Sequence, residues 1–156
     1  MGIQLNTGDH TSSQAGYIAI PNDQRAKAQW ARTKARWIAR TMPSADVYFR
    51  ALPDGKSLTD LLADSTIWVN YSTGIGGFGQ TNMVSGHEIA IGPKAFRIGR
   101  WTVLATLIHE LAHVDGAPGG SDLRAEEALL ACGLGRRSEQ GGTDDTNTPY
   151  DPNIAG

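Results

Sequence analysis

The chain has 156 residues, 40% of them hydrophobic, which suits one compact domain and leaves too little core for two. A formal net charge of −2 argues against a nucleic acid or an acidic membrane surface as partner, and no apolar run reaches membrane-spanning length. The single cysteine, Cys132, excludes an intramolecular disulfide and any cysteine-based zinc cluster.

Residues 1–16 are rich in Ser, Thr, Gly and Gln and predict a flexible N-terminal arm. They lack the hydrophobic stretch of a signal peptide, so the location stays open between the cytoplasm and export by a leaderless route. Tyr17 to Ile20 predicts a short strand closed by Pro21, and Asn22 then caps a helix running to about Arg40. Ala26, Trp30, Thr33 and Trp37 recur at helical spacing and form its expected inner face. Six of the 14 basic residues lie in the same helix, at positions 25, 27, 32, 34, 36 and 40, and are read as a solvated face rather than an anion-binding patch. Val47-Tyr48-Phe49 predicts a strand, and Ser57 to Ala63 a short helix capped by Ser57 with Asp60 three positions on. Thr66 to Tyr71 alternates as a strand does.

Gly74 to Gly79 formally matches G-x-G-x-x-G, but no helix opens there, so a hairpin connection or a mobile flap is expected in place of a dinucleotide site. His87 to Ile91 predicts a second strand, closed by Gly92-Pro93, with a helical turn around Lys94 to Phe96. A helix from Trp101 to His113 follows, ended by Gly116. Ser121 or Asp122 caps a last helix reaching about Leu134, whose buried side is expected at Leu123, Leu130 and Leu134. Residues 136–156 are polar and predict an extended tail. The boundaries expected are thus an arm over 1–16, a domain over 17–135 and a tail over 136–156, in an α+β fold.

The chemistry concentrates at His109-Glu110-Leu111-Ala112-His113, which spells H-E-x-x-H. Residues four apart on a helix stand one turn apart on the same face, so both imidazoles can address one ion. Val103, Leu104, Leu107, Ile108 and Leu111 make that helix apolar on most sides, and burying two His and a Glu there without a partner would be costly. A zinc ion held by His109 and His113, with Glu110 as general base towards a water, is the expected arrangement. A third protein ligand is required, and Asp122, Glu126 and Glu127 of the last helix are all candidates that periodicity does not separate.

A Glu on the helix after an H-E-x-x-H helix resembles the gluzincin pattern of zinc metallopeptidases. His109 to Ala117, followed by Ala125-Glu126 and Cys132-Gly133-Leu134, looks like small bacterial metallopeptidase domains, including toxin-type effectors delivered by type VI secretion. The resemblance covers about residues 92 to 135, under a third of the chain. It implies a minimal zincin-like domain, with the active-site helix on a small, mostly antiparallel sheet and the third-ligand helix C-terminal to it. It also implies Glu126 as third ligand, a protein or peptide substrate, and an immunity protein or a secretion-machinery component as further partner. His113-x-x-Gly116-x-x-Gly119 departs from the extended metzincin motif, because Gly119 cannot ligate.

The expected function is zinc-dependent hydrolysis of peptide bonds. A zinc amidase acting on cell-wall peptides and a non-catalytic zinc-stabilised binding domain are the alternatives. His87, Tyr71 and Tyr150 are candidates for a second hydrogen-bond donor to the reacting carbonyl, each with a packing or surface role preferred. His87 to Ile91 is also the candidate edge strand for an extended peptide.

Overall fold

A computed structural model describes residues 2–134, and these form an α+β fold of six α-helices and one four-stranded sheet. The strands are β1 (Gln4–Leu5), β2 (Trp68–Tyr71), β3 (Gly79–Thr81) and β4 (Glu88–Ile91), in the spatial order β1-β2-β4-β3. β1 pairs with β2 and β2 with β4 in parallel, and only β3 and β4 pair antiparallel. The sheet is therefore mixed and mostly parallel, not mostly antiparallel as expected. Alternation reports which face a residue takes but not strand direction. Direction follows from the connections: three helices separate β1 from β2, a length that allows a parallel return. β3 and β4 are joined by a short hairpin, which forces reversal.

The helices are α1 (Arg25–Thr41), α2 (Pro43–Arg50), α3 (Leu58–Leu62), α4 (Pro93–Ile98), α5 (Arg100–Val114) and α6 (Arg124–Ala131). α5 is the axis of the core. Thirteen of its 15 residues are buried, the reverse of an ordinary amphipathic surface helix. α1, α4, α6, β3 and β4 all pack against it. α1 meets it through Ala28, Ala31, Ala35 and Ile38, all buried. This face differs from the expected one: Ala26, Thr33 and Trp37 are exposed, and small residues at the contact let the two backbones approach. Trp30 sits at the margin, edge-on to Trp101 at 4.9 Å. Several basic groups of α1 act as tethers, since Lys27 Nζ donates to the Phe96 carbonyl and Arg32 Nη1 to that of Ile3.

Two further expectations are overturned. Val47 to Phe49 lies inside α2, where Pro43 takes the first helical turn, and β-propensity yields to burial of Ala45 and Phe49 on one helical face. The N-terminal residues are no loose arm. Ile3 and Leu5 are buried, Asn6, His10, Ser12 and Tyr17 reach side chains on the second face of the sheet, and Ile18 bridges Tyr71 beside β2. A polar network fastens them there: Asn6 Nδ2 donates to Asn70 Oδ1 (2.8 Å), Asn70 Nδ2 to Glu88 Oε1 (3.0 Å) and Ser12 Oγ to Glu88 Oε1 (2.6 Å). His10 completes it, with Nε2 3.0 Å from Glu88 Oε2 and its ring stacked on Trp68. Tyr17 to Ile20 supplies only an isolated bridge from Ile18 to Tyr71. The last helix buries Ala125, Ala128 and Leu129, with Cys132 and Leu134 beyond it, while Leu123 and Leu130 face outward. Residues 135–156, with the expected tail and Tyr150, lie outside the described residues.

Candidate metal centre

α5 carries His109 and Glu110 into the interior and leaves His113 half-buried. Donor atoms of His109, Glu110 and His113 lie within 4.8 Å of one another. α6 brings Glu126 against the first of these, with Glu126 Oε1 3.0 Å from His109 Nε2. His113 Nδ1 donates to the Ala117 carbonyl at 2.8 Å, which leaves Nε2 as the free lone pair. That carbonyl is presented because the chain turns sharply after α5. Gly116 takes φ +94°, and a Cβ there would lie 2.9 Å from Pro53 Cβ.

Of the three candidate carboxylates, only Glu126 meets a motif imidazole. Glu127 is exposed, and Asp122 is engaged by Arg124, whose Nη2 stands 2.9 Å away. Asp122 also accepts from the Arg124 backbone N–H just ahead of α6. Ala125 and Ala128 are buried, which leaves position 126 at the margin beside His109 and position 127 in solvent.

The donor set fits a zinc ion. Two ligands ~2.0 Å from a tetrahedral zinc stand ~3.3 Å apart, close to the 3.0 Å between His109 Nε2 and Glu126 Oε1. Glu126 Oε2 is buried without a hydrogen-bond partner, an electron-pair donor left for a cation. Without an ion, a proton fills the role. Burial alone would lower the His109 pKa, but hydrogen bonds to Glu110 and Glu126 outweigh it and raise the group to about 9. The same contact holds the Glu126 carboxyl below its ordinary range.

Glu110 is 2% exposed, and both its oxygens are engaged. Oε2 accepts from His109 Nδ1 at 2.9 Å and Oε1 from Thr81 Oγ1 at 2.9 Å. The open side is a cleft of about 510 Å³, lined by Glu110 and His113, by the glycine-rich segment 74–79, and by Gln80, Thr81, Met83 and Val84. This lies within the ~300–1,000 Å³ common for small-molecule sites. The glycine-rich segment forms one wall of the cleft and is no hairpin connection, since β2 and β3 are not neighbours in the sheet. Across the sheet edge, Tyr17 Oη donates to Gln80 Oε1 at 2.9 Å, and burial, reinforced by the charges of Glu110 and Glu88, pushes that phenol up to about 12.

The end of α5 is braced. Ser85 N–H donates to the His113 carbonyl, Asp54 N–H to that of Asp115, and Lys56 N–H to Asp115 Oδ1. Asp115 is wholly buried, which raises its carboxyl to about 6 against the opposing Lys56 hydrogen bond.

His87 does not line the cleft. It precedes β4, and its Nδ1 is 2.7 Å from Oγ1 of Thr66, ahead of β2. Tyr71 packs near Phe96 and is also absent from the lining. Gly119 lines the cleft without a side chain to ligate. Thr81 carries no signal in the sequence, because the strand Gly79-Gln80-Thr81 is too short to alternate visibly. No family model, curated protein or solved structure matches this chain.

Proposed function

We propose that the chain is a zinc-dependent peptidase of the zincin type. The observation that carries the reading is the approach of Glu126 to His109 Nε2. It brings an acid from a separate helix to the H-E-x-x-H pair and so supports His109, His113 and Glu126 as the three protein ligands, with His113 and Glu110 on the wall of the cleft.

His109, His113 and Glu126 would hold the ion, which would supply Lewis acidity towards a carbonyl and acidify a water. Glu110 faces the cleft, and each of its oxygens keeps a second acceptor site after its hydrogen bond. Its carboxylate takes a proton from the attacking water and passes it to the leaving amine. The strand available to pair with an extended peptide is β3 at the sheet edge, because β4 is enclosed between β2 and β3. Delivery as a toxin-type effector, with an immunity protein or a secretion component as partner, is proposed on the resemblance of residues 92 to 135 alone.

The test is elemental analysis of protein purified without chelator, paired with digestion of casein and of cell-wall peptides. The wild type is expected to carry close to one zinc per chain and to cleave casein. Glu110→Gln is expected to retain the metal and lose hydrolysis by roughly 100-fold or more. A wild type without zinc defeats the reading. Cleavage of cell-wall peptides alone favours the amidase, and a biological effect surviving Glu110→Gln favours an inert zinc domain.

A further inference from the structure

We infer that Thr81 is the positioning residue that aims the Glu110 carboxylate, so that the edge strand of the cleft also orients the base; this rests on the peptidase reading of the site. Thr81 is the third residue of β3, and its hydroxyl stands 2.9 Å from Glu110 Oε1 and 3.2 Å from the Glu110 backbone carbonyl. One hydroxyl carries one proton, and the shorter contact makes the carboxylate its main acceptor. With Oε2 already held by His109 Nδ1, the two hydrogen bonds fix the plane of the carboxylate.

The backbone shows that β3 is built to come this close. Gly79, two residues before Thr81 and on the same face of the strand, crosses α5 directly over Thr106 and Glu110. A Cβ at position 79 would stand 2.4 Å from Thr106 Cγ2 and 3.3 Å from Glu110 Cγ. A glycine allows the approach, and the threonine uses it. Pairing of Gly79 with Ile91 and Thr81 with Ile89 holds the register that puts both against the helix. Both hydrogen bonds of the Thr81 hydroxyl go to Glu110. A peptide paired along the free edge of β3 would then be held by the same three residues that orient the base, tying substrate position to base position through one rigid element.

The test compares Thr81→Val, which keeps the shape and removes the hydroxyl, with Thr81→Ser, which keeps the hydroxyl. Both are loaded with zinc and assayed on fluorescein-labelled casein, with metal content measured and crystal structures determined. Thr81→Val is expected to bind one zinc per chain, to hold KM within about threefold, and to lose roughly 10- to 100-fold in kcat. Its Glu110 carboxylate is expected to rotate away from the orientation of the wild type. Thr81→Ser is expected to recover most of the kcat and the original orientation. Wild-type kcat in Thr81→Val with Glu110 unmoved overturns the inference, and so does a Thr81→Ser variant as impaired as Thr81→Val. If the wild type binds zinc but cleaves nothing, the peptidase reading falls, while the carboxylate orientation in the two variants still decides the role of Thr81.

Discussion

Zinc affinity should climb steeply with pH, because a proton on His109 occupies the place of the ion. The His109 imidazole stands at about 9, against 6.5 for the free group, on account of Glu110 and Glu126. At pH 7 only about 1 chain in 100 then has the neutral ring that a metal requires. Each pH unit gained below 9 raises the neutral fraction about tenfold, so affinity should rise by roughly 160-fold between pH 6.5 and 9, and by only about a further twofold above that. Competition against a chromophoric chelator, corrected for the chelator's own protonation, measures this directly. The metal-free protein should show the opposite trend. A group raised on folding contributes stability that is fully present below about 6.5 and is lost as the pH rises through about 9. That contribution is of order 3 kcal/mol, so melting of metal-free protein should shift downward across the range in which zinc protects best. Glu126→Gln should move the affinity plateau to lower pH, since one of the two carboxylates holding the proton is gone. An affinity that stays flat from pH 6.5 to 9 would refute the account of His109 as a proton-occupied ligand.

Among the carboxylates of the last helix, Glu126→Ala should weaken zinc binding by more than about 100-fold, beyond the ~10- to 100-fold typical of losing an outer-shell contact. Glu127→Ala and Asp122→Ala should each leave it within about threefold, since Glu127 is exposed and Asp122 is engaged by Arg124. Isothermal titration ranks the three, and a larger loss in Glu127→Ala would reverse the assignment. Gly79→Ala should destabilise the fold by about 1–3 kcal/mol, because its Cβ has no room beside Thr106. It should also lower kcat by pushing β3 off Glu110. A melting temperature and turnover equal to the wild type would show that β3 does not bear on α5 as described.

How much of this was legible beforehand differs by residue. His109, Glu110 and His113 were placed by spacing alone, because one helical turn is a local geometric fact and α5 forms where its apolar run begins and ends. The cap at Ser57 was legible for the same reason, and its hydroxyl accepts from the Asp60 N–H. Glu126 was chosen on resemblance, and no property of α6 in isolation would have done so. Its neighbours Leu123 and Leu130 pointed the wheel the wrong way, since leucine is informative only where something packs against it. Val47 to Phe49 failed as a strand for a related reason: β-branched and aromatic residues also fit the inner face of a short helix when the core lies on one side.

The amino-acid sequence by itself determined the motif helix, its burial and the donor types on it, because hydrophobic periodicity and i, i+4 spacing act within a few residues of chain. Only the tertiary structure decided which acid meets His109, that N-terminal side chains reach the second face of the sheet, that the strands run mostly parallel, and that a three-residue edge strand presses Thr81 onto Glu110. Each of those depends on segments far apart in the chain meeting at a specific distance. Local patterning says which face of an element is buried, but it carries no record of the element lying across from it.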